Sequence, residues 1–198
     1  MSTKINRKQE ILEAALACFN EHGVEGTTID LIRERSGTSV GSLYHHFGNK
    51  EAIAVALHET ALQHHQAHVA ALLKPGAGAA ATVRALVTGY IDSVSENPAL
   101  SRFLMQSRGF MVRTADAAMT ESIERDLLAS GFRSWLEPLL AQGAIRPFPM
   151  ECYLPLILGP AQEYAWSWLA GRSARHIKEF RDLFADAAWN AVRPDQAG

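Results

Sequence analysis

Cysteine is nearly absent: Cys18 and Cys152 are the only two in 198 residues. Two isolated thiols make no disulfide framework and suit a reducing compartment. No run reaches the roughly 18 apolar residues that a membrane span needs. Residues 1–8 lack the apolar core of a signal peptide. A cytoplasmic location, with no membrane partner, is expected. Positive charge is scarce too: 19 Lys and Arg stand against 21 Asp and Glu, a net charge of −2. That excludes a binder that relies on bulk attraction to a polyanion. Catalytic signatures are missing: there is no nucleophile elbow, phosphate loop or HExxH. Neither an enzyme activity nor a cofactor is expected.

What the chain has is helix-forming, apolar sequence. Hydrophobic residues make up 47% of it, and no stretch alternates as a strand would. The periodicity predicts an all-α fold of about nine helices. The first spans about Asn6 to His22, with Ile11, Ala15, Cys18 and Phe19 on one stripe. A long helix from Asn49 towards Leu73 carries Ile53, Leu57 and Ala61. Residues 74–78, Lys-Pro-Gly-Ala-Gly, break it. Helices follow over about 82–96 and 99–106, the latter expected to fail near Arg108-Gly109. Three more are expected: 115–142, loosened at Pro138; 151–169, bent near Pro160; and 174–192. No internal repeat is visible.

Residues 22–57 are the most telling. Thr27 or Thr28 can cap a short helix, and Gly37 can end it in the left-handed conformation. Ser39 can cap the next helix, in which Val40 and Leu43 are expected to point inward. Asn49 can cap the one after. The middle helix is small, polar and aromatic, with little to bury. Two capped helices joined by a glycine turn are a helix-turn-helix, whose second helix suits the major groove of DNA. Lys50 opposes the dipole of its own helix, so an external phosphate would be a natural companion.

This segment resembles the TetR family of bacterial transcription regulators. Gly37-Thr-Ser39, Gly41, Leu43-Tyr44, His46-Phe47 and Lys50 carry the resemblance, with Thr27-Thr28 and Ile32 upstream. Thr38 replaces the usual small hydrophobe, and Arg33 the usual alanine. The recognisable portion spans roughly residues 5–57. It implies an N-terminal three-helix head, residues 1–50, that binds double-stranded operator DNA. Residues 51–198 would then form a helical ligand-binding and dimerisation body. The expected DNA-contacting residues are Thr28, Thr38, Ser39, Ser42, Tyr44, His45 and Lys50. With no Arg, Asn or Gln among the base readers, methyl contacts and DNA shape should matter most.

The last two helices carry Tyr164, Trp166, Trp168, Leu169, Phe180, Leu183, Phe184 and Trp189. These are more than a monomer readily buries, so a homodimer through those helices is expected. A largely apolar effector of unknown identity would sit among Phe103, Gln106, Phe110, Trp135, Tyr153, Gln162 and Tyr164. His64, His65 and His68 have helical spacing that could hold a metal. They lack a thiolate or a clear carboxylate partner, so hydrogen-bonded histidines and no metal are expected. The function expected is a ligand-released repressor. The competing reading is a helical carrier or enzyme that keeps a vestigial head.

Overall fold

The computed structural model describes residues 2–74, 76–113 and 132–195. Among them every regular element is helical. The order is α1 (Ser2–Gly26), α2 (Ile29–Ser36), α3 (Val40–Phe47), α4 (Lys50–Leu72), α5 (Ala79–Glu96) and α6 (Pro98–Arg113). Next come α7 (residues 132–141), α8 (Met150–Leu169), a 3-10 turn (Ile177–Phe180) and α9 (Arg181–Val192). The expected start of α7 near residue 115 lies outside the described residues.

Two compact units result. The first combines Met1–Leu62 with Ala99–Ile123, the second Gln63–Pro98 with Glu124–Gly198. They cut across a division at residue 50. The helix α4 is shared, with residues 50–62 in the first unit and 63–72 in the second.

In the first unit, the stripe of α1 (Ile11, Ala15, Cys18, Phe19) meets Ile32 of α2, Leu43 of α3 and Ile53, Leu57 and Ala61 of α4. Leu100 and Phe103 of α6 complete this core. Phe19 and Phe103 stack at 5.6 Å between ring centroids. Contrary to expectation, α6 does not fail at Arg108-Gly109 but runs to Arg113. A single glycine costs a helix only about 1 kcal/mol, which does not end it unaided.

In the second unit, α5 is buried along most of its length, from Val83 through Leu86, Val87, Tyr90 and Ile91 to Val94. It packs against α8 and α9. Arg181, the first residue of α9, grips Asp92 of α5 through two parallel bonds, Nε to Oδ1 at 3.0 Å and Nη2 to Oδ2 at 2.7 Å. The Asp92 carboxylate accordingly raises the Arg181 pKa. A helix beginning at Ala174 was expected. Instead α9 begins at Arg181, after the 3-10 turn. The turn has its own capping box: His176 Nδ1 accepts from Lys178 N, and Glu179 Oε1 accepts from His176 N. Pro155 and Pro160 both lie inside α8, and α7 continues past Pro138.

One close approach fixes how α4 meets α5. A Cβ placed on Gly89 would lie 2.8 Å from the backbone Cα of Val69. A Gly89→Ala substitution gains about 1 kcal/mol in helix propensity, but it overpacks a backbone contact at a cost of about 1–3 kcal/mol. The clash should win, because backbone cannot rotate away. Urea unfolding of Gly89→Ala should show a lower midpoint with an unchanged slope.

Candidate nucleic-acid interface

The α1–α2–α3 segment is held by end contacts. At Gly23 (φ 71°) the regular winding of α1 breaks, and Thr27 donates its hydroxyl back to the Gly23 carbonyl at 2.7 Å. Thr28 caps α2 by accepting from Leu31 N at 3.2 Å. Gly37, at φ 63°, closes α2 in the left-handed region. Ser39 caps α3 by accepting from Ser42 N at 3.2 Å, and Asn49 Oδ1 accepts from Ala52 N at 2.7 Å to start α4. Arg35 reaches from α2 to Glu21 of α1 through two 2.7 Å bonds. That pair raises the Arg35 pKa and lowers that of Glu21.

The outer face of α3 is an exposed strip. Val40 and Tyr44 are one turn apart and expose 41% and 55% of their surface. Gly41 and His45 lie beside them, also exposed, and Ser42 is half-buried. Of the inward pair expected from spacing, only Leu43 is buried. Val40 turns out, so sequence reasoning missed it as a surface residue. A methyl-bearing side chain next to Tyr44 was the available signal. Gly41 matters differently: a Cβ there would meet nothing within 4 Å. The fold therefore does not require glycine at this position, and the bare backbone leaves clearance on the strip.

Two expected DNA contacts are engaged within the head. Thr38 is 6% exposed, and its hydroxyl pairs with Ser36 Oγ at 2.7 Å. Lys50 does not present its ammonium outward. Its Nζ donates to three carbonyls, Val24 at 3.1 Å, Glu25 at 3.1 Å and Thr27 at 3.0 Å. An ammonium has three protons, and all three are used. The negative end of one helix thus supplies the counter-charge expected from a phosphate.

The expected effector residues divide between the units. Phe103, Gln106 and Phe110 line a cavity of about 330 Å³ in the first unit, closed on its other side by Phe19 and the His22–Gly26 segment. Trp135, Tyr153, Gln162 and Tyr164 belong to the second unit and do not reach this cavity. Tyr153 is fully buried, donating to Arg146 O at 2.5 Å and accepting from Phe148 N at 2.9 Å. Tyr164 donates to Arg175 O at 3.0 Å and packs on Phe180 and Phe184. Both hydroxyls secure loops.

The three histidines fasten α4 to α5. His65 Nδ1 bonds Ser93 Oγ, and its ring stacks on Tyr90. His68 Nε2 meets Glu96 Oε2 at 2.7 Å, and His68 Nδ1 meets the His64 carbonyl at 2.9 Å. Among the described residues, no group of three or more His, Cys, Asp or Glu is placed to hold a metal.

Residues 11–57 match the sequence profile of the bacterial regulatory proteins of the tetR family. The similarity to that family is thus shown for the head segment. Over 53 residues the chain is 51% identical to the HTH-type transcriptional repressor AcnR of Corynebacterium efficiens. That match covers 27% of this chain and 28% of AcnR, little more than a quarter of the relative's length. The HTH-type transcriptional regulator BetI of Cronobacter sakazakii is 27% identical over 197 residues, covering 87% of this chain and 95% of BetI. The crystal structure of a TetR family transcription regulator from Marinobacter aquaeolei has the same fold. It aligns with a TM-score of 0.82 at 18% identity, covering 98% of this chain and all of that one.

In this head, removing the clamp should be costly. Lys50→Met leaves three helix-end carbonyls without their charged donor, a loss of about 2 kcal/mol. Thermal unfolding should show a clearly lowered midpoint. Replacement of an exposed lysine that only met phosphate would leave the free protein's midpoint unchanged.

The histidine cluster makes a separate, pH-dependent prediction. Burial, then the neighbouring His64 and His68, lower the His65 pKa from 6.5 to about 4. The unfolded chain therefore takes up this proton first. Stability from neutral His65 is complete above pH 6.5 and is lost as pH falls towards 4, by roughly 2–3 kcal/mol. The Glu96 carboxylate raises the His68 pKa. That contribution is complete below pH 6.5 and is lost as pH rises past the folded value, so it lies outside the acid window. Urea titrations between pH 7 and 4 should show the fall, and His65→Gln should flatten it.

Proposed function

We propose that this chain is a dimeric repressor that holds double-stranded operator DNA with α3 and lets go when a small, largely apolar ligand binds. The exposed strip Val40, Gly41, Tyr44 and His45 carries the reading. It is the outward face of a helix fixed by caps on both sides, and its chemistry suits a groove. Val40 and the Tyr44 ring offer contacts to thymine methyls, while Ser39, Tyr44 and His45 offer donors to phosphate oxygens. Gly41 lets the helix backbone come close. Thr28 and Ser42 remain proposed contacts at the rim. AcnR, by its name a transcriptional repressor, supports the same reading through its similar head.

One eight-residue helix makes few contacts. Two copies about 34–36 Å apart would meet successive major grooves on one face of the duplex. Trp166 of α8 and Leu183 of α9 expose 39% and 62% of their surface, and they support pairing through these two helices. A ligand with higher affinity for the DNA-incompetent form of the dimer would lower operator affinity by linkage.

The experiment is fluorescence anisotropy with duplexes from the region upstream of the chain's own gene, alongside sedimentation of the free protein. A dimer should bind one duplex specifically. Tyr44→Ala should weaken binding about 10–100-fold. Gly41→Leu should raise the unfolding midpoint, because glycine is a poor helix former, yet weaken binding as strongly. A monomer, or a Gly41→Leu protein that binds as the parent does, would overturn the reading.

A further inference from the structure

We infer that Lys8 of α1 is a phosphate contact of the DNA-reading face. Its ammonium, seated over the Phe47 ring at the end of α3, meets the duplex backbone where that backbone flanks the helix. The inference rests on the regulator reading above and adds a residue of another helix to its interface.

The sequence puts a charge where the helical period asks for an apolar side chain. Lys8 precedes Ile11 by three residues and Leu12 by four, so it stands on the line that continues through Ala15, Cys18 and Phe19. Those side chains are buried, and Lys8 is exposed. The stripe of α1 therefore leaves the core at Lys8. A lysine in such a place covers an apolar neighbour with its stem and keeps its head in water. The neighbour is Phe47: Lys8 Nζ lies 5.6 Å from the ring centroid, within the range of a cation–π contact.

That seat borders the reading strip. Phe47 is the last residue of α3. It follows the exposed Val40 by seven residues and Tyr44 by three, and it follows the buried Leu43 by four. It is half-buried, between the outward line and the inward one. The ammonium over its ring thus lies beside the last turn of the strip, within the same compact unit. Eight residues of helix span about 12 Å, close to the roughly 12 Å width of the major groove. Two phosphate chains wall that groove, so a side chain at either end of so short a helix can reach one. Ser39 offers a hydroxyl at the start of α3, and Lys8 supplies a full charge at its end.

Availability separates Lys8 from the other described lysines and arginines of α1–α4. Arg7 pairs with Glu10, Arg33 with Asp30 and Glu34, Arg35 with Glu21, and Lys50 with its three carbonyls. Lys8 has the ring, and no carboxylate or carbonyl of the described residues bonds its ammonium. A ring face attracts a cation through its quadrupole and uses none of its protons as a lone pair would. Three N–H donors remain for phosphate oxygens. The ring also restrains the stem beforehand, which reduces the rotamer freedom lost on binding. Such a contact carries no sequence information; it fixes register and adds affinity.

The test measures affinity of the full chain against salt concentration, on the operator duplex and on a random-sequence duplex of equal length. Each neutralised phosphate contributes about 0.9 to the slope of log affinity against log salt. Lys8→Gln should lower the slope for a dimer by about 2, one contact per head, and weaken binding about tenfold or more at about 0.1 M salt. The factor should be similar on both duplexes. Lys8→Arg should keep the parent slope. In a scan that replaces single phosphates of the operator by uncharged methylphosphonate, one position per half-site should weaken the parent and leave Lys8→Gln unaffected. A lysine that only shields Phe47 would give the opposite pattern: a lowered unfolding midpoint for Lys8→Gln and an unchanged slope. That result would overturn the inference, as would a scan with no position to which Lys8→Gln is indifferent. A parent protein that binds no duplex would fail the regulator reading and this inference together, whereas an unchanged slope in a parent that binds would fail this inference alone.

Discussion

The three-proton clamp of Lys50 is the constraint on which the head depends. Each of α2 and α3 has eight residues, below the length at which a helix is stable in water unaided. Their geometry has to be imposed by what holds their ends. Lys50 does this where the chain leaves α1, by closing on the Val24, Glu25 and Thr27 carbonyls from the first residue of α4. Thr28, Ser39 and Asn49 then start three successive helices with side-chain caps. Ile32 and Leu43, each almost fully buried, set which faces turn in. The outward strip of α3 is what remains once these inward demands are met.

Features that depend on residues three or four apart were legible in the sequence. The caps, the Gly37 turn and the stripes of α1 and α4 are all of that kind, and they were enough to expect an all-α fold with a helix-turn-helix head. Features that depend on distant partners were not. Lys50 looked like a phosphate seat because its own helix dipole repels it; its real counter-charge comes from carbonyls 23 to 26 residues earlier. Tyr153 and Tyr164 looked like pocket residues because an apolar ring with a polar tip suits a ligand equally well. Their hydroxyls instead hold nearby loops. The apolar period of 177–184 runs unbroken through the 3-10 turn, which hid the late start of α9. His176 and Glu179 were the hint, spaced as a capping box with an unusual first member.

The same division explains how the expected effector residues fall. Composition could nominate aromatic and amide side chains, but it could not say which helix pairs would bring them together. Phe103, Gln106 and Phe110 recur at spacings of three and four on α6, so one helix face carries all three into one cavity. Trp135, Tyr153, Gln162 and Tyr164 sit on other elements in another compact unit.

Charge closes the argument about how such a head can read DNA. Among its described side chains, the cations are engaged within the protein. Arg7 pairs with Glu10, Arg33 with Asp30 and Glu34, Arg35 with Glu21, and Lys8 sits over the Phe47 ring. With Lys50 also committed, the described side chains leave little free positive charge to draw the head onto any duplex regardless of sequence. A reader of the kind proposed would gain by shape and methyl contacts along α3, and by neutral donors at capped helix starts, more than by counterion release. For the DNA reader proposed above, non-specific binding would be weak for the same reason, so even modest base contacts would stand out against it. Doubling those contacts across a two-fold axis multiplies the discrimination without adding charge. On the proposed reading, a nearly neutral head and a dimer would be two parts of one design: the first would keep the background low, and the second would restore the affinity that the missing charge withholds.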